Sequence, residues 1–237
     1  MENSKTTFRP ILFSTPMVQA ILENRKRKTR RTKGLEKVNE NPHDWKFDGI
    51  SISVSIPNKK NDLKVYHSFT NIKSGEKARV FCPYNLGEIF WVRENFYTAS
   101  NWDHWKPSML KSVNVEVFYQ ADRDNDSISK PLHRGKTRPN IFLPKEYARI
   151  FLKIKSIRVE RLHDINSDDA IKEGVDFVSG NSKKLYYDYL KSEFGLSPLF
   201  SFMTLWMKIN GRTSWDSNPF VFVYEFEQIE KPLNFIV

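Results

Sequence analysis

The chain has 237 residues and a net charge of +10, from 38 Lys and Arg against 28 Asp and Glu. At 39% apolar and 14% aromatic it has enough material to bury a core without staples, and its 18 Phe, nine Tyr and six Trp favour strands. Cys82 is the only cysteine, which excludes an intrachain disulfide and fits a reducing cytoplasm, and no stretch approaches a membrane span.

Taken in chain order, MENSKTTFRP carries no apolar leader, so a cytoplasmic protein is expected. Ile11-Leu12-Phe13 reads as a short buried strand. Ser14-Thr15-Pro16 then opens a helix, with Thr15 as cap, Pro16 in the first turn and Met17, Val18, Ala20, Ile21 and Leu22 as the apolar face. Thr32 to Pro42 is polar and loop-like. Ile50 to Ile56 alternates Ile or Val with Ser, as a half-buried strand does, Pro57 ends it, and Val65 to Phe69 pairs with it. Leu86-Gly87-Glu88 turns into an apolar strand, Ile89 to Val92, and Val113 to Tyr119 alternates as a further strand. Ala121 to Asn140 is charged and turn-rich, the pattern of a mobile loop. Ile150 to Leu162 reads as a long strand with a bulge near Ser156. Asn166 or Ser167 caps a short acidic helix that reaches Glu173 and ends at Gly174. Lys183 to Phe194 and Leu199 to Ile209 are expected as helices, and Phe220 to Phe226 as a closing strand. There is no internal repeat and no clear linker, so a single β-rich domain over 1–237 is expected.

The densest chemical signal is the stretch from Arg25 to Lys33, in which seven of nine residues are Lys or Arg, directly after the first helix. Lys and Arg held at a helix end form a site for phosphate or another anion, and the positive net charge favours a polyanionic partner, nucleic acid first. The five histidines, His43, His67, His104, His133 and His163, are scattered, with none paired at ligand spacing, so neither a metal nor a cofactor is expected.

The stretch Asn24-Arg25-Lys26-Arg27-Lys28-Thr29-Arg30-Arg31 resembles the Gly-x-Lys-x-x-Thr-x-Arg hallmark of the ASCH domain, a member of the PUA-like superfamily. Asn24 stands at the leading Gly, and Asn also tolerates the left-handed conformation of a helix end. Leu86 to Glu94, LGEIFWVRE, is similar to the strand that carries Gly-Asp-x-hydrophobic-Trp-Val-Arg-Glu in that family. Ile154 to Glu173 resembles its strand and short helix with an acidic residue. Leu205-Trp206 and Trp215 to Phe226 resemble the closing segment of its large phage and bacterial forms. The resemblance implies an α+β fold, a PUA-like mixed β-barrel with flanking helices, and insertions at roughly 32–85 and 95–140.

The resemblance also implies a site. Some small ASCH proteins are amidohydrolases that deacetylate acetylated cytidine with a Lys, a Thr and a Glu, which fall here on Lys26, Thr29 and Glu173. A Thr hydroxyl attacks an amide only once a base takes its proton. Lys26, partly desolvated beside Arg25 and Arg31, would serve as that base, with Glu173 orienting it or protonating the leaving amine. The bland readings stay open. Lys26 and Arg31 could only hold phosphate, Thr29 could only bond locally, and Glu173 could be a solvated helix end. Arg25, Lys28, Arg30, Arg31 and Arg93 are the candidate nucleic-acid contacts; for Arg93 and Glu94 the alternative is a surface ion pair. Trp91 and Trp206 read as core, while Trp102 and Trp105 suit either stacking on bases or packing under their loop. The expected function is binding of RNA or a modified nucleotide or nucleoside. The alternatives are an amidohydrolase acting on an acylated base, and an interaction protein of a phage or mobile element.

Overall fold

The computed structural model describes residues 6–53, 64–122, 130–180 and 183–235. In chain order the elements are β1 (Phe8–Leu12), α1 (Thr15–Leu22), β2 (Lys28–Arg31), α2 (Glu36–Asn39), β3 (Trp45–Ser53), β4 (Lys64–Asn71) and β5 (Lys77–Phe81). Next come β6 (Ile89–Arg93), β7 (Phe96–Tyr97), β8 (Phe118–Tyr119), β9 (Phe151–Arg161), α3 (Ser167–Lys172), β10 (Phe177–Ser179), β11 (Lys184–Asp188) and β12 (Glu193–Gly195). The chain ends with α4 (Pro198–Asn210), α5 (Arg212–Asp216) and β13 (Phe220–Ile229). With 27% helix and 35% strand this is a mixed α+β fold, and among the described residues no sheet closes into a barrel.

The contacts divide the chain into two compact units. The first comprises Met1–Arg27, Gly87–Lys155 and Phe226–Val237; the second comprises Lys28–Leu86 and Ser156–Glu225. In the first unit β1 lies parallel to β6, and β6 antiparallel to β9, with Trp91 opposite Phe151. Ile89, Trp91, Ala148, Phe151 and Phe235 form one core there. Trp91 is buried in it, as expected from its apolar strand. Phe96, Leu110, Val115 and Leu143 form a second core, against which Trp102 and Trp105 pack. These two rings meet edge to face, and Arg138 donates to both their backbone carbonyls, so the packing reading holds for them.

In the second unit β2 pairs antiparallel with β13, which sets Thr29 opposite Tyr224, Arg30 opposite Val223 and Arg31 opposite Phe222. Directly opposed residues share a face of the sheet. The face with Val221 and Val223 packs on Phe202 and Trp206 of α4, with Ala170 of α3 and Tyr186 of β11. The opposite face is covered by the meander β3-β4-β5, where Phe69 meets Phe220 and His67 meets Phe222 edge to face.

Several local expectations need correction. Lys183 to Phe194 is no helix but β11, a turn and β12, because β11 pairs with both β10 and β12 and the Asp188 carboxylate accepts the Leu190 and Lys191 amides at the turn. Within Val113 to Tyr119 only Phe118–Tyr119 is strand, since Asn114 adopts the left-handed conformation at φ 51° and breaks the extension. The loop expected from Thr32 to Pro42 contains α2. Thr15 is the first residue of α1, and its predecessor Ser14 is the cap position, without a side-chain cap bond. The expected strand at Ile50 begins earlier, at Trp45, with a register shift between Phe47 and Gly49; its end at Pro57 lies outside the described residues. Of the loop expected over Ala121 to Asn140, residues 123–129 lie outside the described residues, and Arg134 and Arg138 form isolated bridges to Ala99 and Phe96.

Candidate functional site

Helix α1 ends through Asn24, which takes φ 59° and breaks the helical path, as the resemblance required of this position. The Lys26 and Arg25 amides both return to the Ala20 carbonyl, so the chain turns sharply into the basic run. Lys26 is 2% exposed, and its ammonium lies 5.4 Å from the centre of the Phe13 ring. Arg25 pairs with Glu23 at 2.7 Å, and the exposed Arg27 donates to the Asn24 side chain. These residues belong to the first unit; Thr29, Arg31 and Glu173 belong to the second.

In the second unit the basic run is a strand, and alternation sends its side chains to opposite faces. Lys28 and Arg30 point toward α3 and β9. Lys28 Nζ donates to Asp169 at 2.6 Å. The Arg30 side chain has no exposure and donates to Asp169, Glu173 and Glu160 at 2.8 to 2.9 Å. Arg158 completes the network with bonds to Asp169 and Glu160. Three cations thus face three carboxylates, and the geometry accounts for why so many charges tolerate burial. Burial would raise the Asp169 carboxyl, but hydrogen bonds from Lys28 and Arg30 and the charge of Arg158 hold it down at about 2. Burial would likewise lower Arg30, and Glu173 and Glu160 more than offset it.

Thr29 and Arg31 take the other face with Tyr224, under the meander. Thr29 is 1% exposed and Tyr224 is fully buried, its hydroxyl 3.2 Å from Cys82 Sγ and its ring edge to face with Tyr84. Burial pushes the Arg31 guanidinium below its usual range, partly offset by Glu173, Tyr84 and Tyr224. Glu173 is 4% exposed at the end of α3, bonded to Arg30, with Gly174 following at φ 84°. Of the two caps the sequence allows, Asn166 is the one used, accepting from the Asp169 amide.

Arg93 and Glu94 diverge at the end of β6. The Arg93 guanidinium lies 5.0 Å from the Trp91 ring, with its Nε buried and without a hydrogen-bond partner. Glu94 is buried and bound by Arg149 through two bonds of 2.9 Å, so it is not half of a surface pair with Arg93. Burial raises the Glu94 carboxyl, with Arg149 opposing that shift. Among the described residues no group of three His, Cys, Asp or Glu could hold a metal ion, and no helix is long and apolar enough to cross a membrane.

Sequence reasoning did not anticipate Asp169, Glu160 and Arg158. The signal was present: Lys28 and Arg30, like Arg158 and Glu160, stand two apart on strands, and Asp169 and Glu173 stand four apart on a helix, so each pair shares a face. Comparisons with known protein families, with curated proteins and with solved structures find no match.

Proposed function

We propose that the chain is a nucleic-acid-binding protein of the ASCH type, which takes RNA or a modified nucleotide in a basic cleft, and that its fold is related to the PUA-like barrel. The observation that supports this most is the state of the motif. Lys26 and Thr29 are both almost wholly buried, at 2% and 1% exposure, directly after an Asn24 in the left-handed conformation. Burying such groups is costly, and solvated basic tails do not do it. Lys28 and Arg30 have their charges met inside the second unit and Arg31 is desolvated there, so the phosphate contacts of this proposal fall to Arg25, Arg27 and Arg93. The recognition is then that of one nucleotide with a few backbone contacts, rather than of a long polyanion. The test is binding of labelled single-stranded RNA and DNA to the intact chain and to Lys26→Ala. Binding that the variant loses supports the proposal, and no binding by the wild type at low salt sinks it.

A second reading, an amidohydrolase that uses Lys26, Thr29 and Glu173, rests on the resemblance alone: Glu173 is bonded to Arg30, and Arg30 and Thr29 take opposite faces of β2. Release of acetate from acetylated cytidine, abolished in Lys26→Ala and Thr29→Ala, is its expected result. Absence of turnover in the wild type leaves only the binding reading.

A further inference from the structure

We propose that the first unit carries a nucleobase subsite, built by Tyr97, Tyr119, Gln120 and Arg134 together with Gln19 of α1. It rests on the nucleotide-binding reading above and adds a place, outside the basic motif, where a base is held.

The subsite begins with a column of planar groups. Phe118 and Tyr97 are paired across β7 and β8, with ring centres 5.5 Å apart and planes 24° apart. The Arg134 guanidinium lies 4.1 Å from the Tyr97 ring centre. Phe118 and Tyr97 are each 5% exposed, whereas Arg134 is exposed, so the column opens to solvent at a guanidinium plane. Arg134 is held by its backbone bridge to Ala99 and by side-chain bonds to Gln120 and Thr137. Unpaired bases stack on such planes whatever their sequence, because every base has a π-face.

Tyr97 and Arg134 line a cavity of about 420 Å³, together with Gln19, Tyr119, Gln120, Asp122 and Lys130. That volume suits a small planar ligand with a polar appendage. The Gln120 carbonyl oxygen accepts from Arg134 and Thr137, which leaves its amide nitrogen as a donor. The Gln19 amide nitrogen donates to the Ala121 carbonyl, which leaves its oxygen as an acceptor. The Watson–Crick edge of every base offers a donor and an acceptor to match such a pair, so the wall selects bases as a class rather than one base. Asp122 and Glu94 share Arg149, and the exposed Arg134 presents a cation at the cavity to a ligand bearing phosphate. An apolar ligand finds little here. Gln19 also ties the cavity to the basic motif, since its neighbour Ala20 accepts the Arg25 and Lys26 amides.

Two conservative variants of the full chain separate the groups. Arg134→Lys keeps the charge and removes the plane; Gln120→Glu keeps an acceptor for Arg134 and removes the amide donor. Binding of the four ribonucleoside 5′-monophosphates and of labelled single-stranded RNA and DNA is measured by calorimetry and anisotropy, with thermal unfolding as the check on folding. A loss of about tenfold in Arg134→Lys at an unchanged salt slope, and a weakened or altered base preference in Gln120→Glu, are expected. Capture of monophosphates alone points to a free nucleotide, and capture only of oligomers points to a strand; either supports the subsite. If both variants bind as the wild type does, the subsite is overturned while the nucleic-acid reading stands. If Lys26→Ala abolishes binding that these variants retain, the base is held at the motif alone. A wild type that binds no nucleotide overturns both.

Discussion

Arg30 shows how a charge can be misread from its neighbours in sequence. In the run it is one of seven cations that could face a phosphate; in the structure its guanidinium is enclosed by Asp169, Glu173 and Glu160. Removing one partner of a buried ionic network leaves the others uncompensated. Arg30→Leu is therefore expected to cost roughly 3–5 kcal/mol in urea unfolding, far beyond the effect of losing a solvated Arg. His67 is a second such residue. It is buried between Phe47 and Phe222, its Nδ1 has no partner, and burial lowers its pKa against the opposing effect of a backbone hydrogen bond with Val80. A histidine whose folded pKa lies below its unfolded value contributes stability that is complete above the unfolded pKa of about 6.5 and declines as pH falls below it. The melting temperature is expected to drop from pH 7 to pH 5, and His67→Phe is expected to flatten that slope.

The exit of α1 was predictable because a backbone conformation, rather than a contact, decides it. Asn24 takes φ 59°, which glycine adopts without strain and a β-branched residue does not. Asn24→Gly is expected to be neutral within about 1 kcal/mol, since it relieves the left-handed cost and gives up the bond from Arg27. Asn24→Val is expected to destabilise by about 1–2 kcal/mol, a difference that chemical denaturation of the two variants resolves. The acidic helix α3 was legible in the same way, from a capping Asn166 and a terminating Gly174. The segment from Lys184 to Gly195 was not. Its Leu, Tyr and Phe positions fit a helical face as well as a strand pair, and only its pairing to β10 and the Asp188 turn select the strands.

At the scale of the whole chain, the net charge of +10 overstates what a polyanion would meet. Of the seven cations from Arg25 to Lys33, Lys28 and Arg30 have their charges met by carboxylates, Lys26 is buried, and Arg31 is desolvated. Arg25, Arg27 and Lys33 remain nearer the surface. If nucleic acid binds through this run, the slope of log K against log salt is expected near −2 to −3, against about −5 or steeper if all seven engaged phosphates. A titration from about 50 to 200 mM salt distinguishes the two. The sequence by itself determined the places governed by local rules: the helix exit at Asn24, the capped α3, the buried strand at Trp91 and the closing strand at Phe220. These follow from backbone sterics, capping and short apolar runs, which act over a few residues. The partners of Lys28 and Arg30, the cover over Thr29 and the column from Phe118 to Arg134 were decided by the tertiary structure alone, because each joins residues far apart in the chain whose meeting depends on how the strands pair.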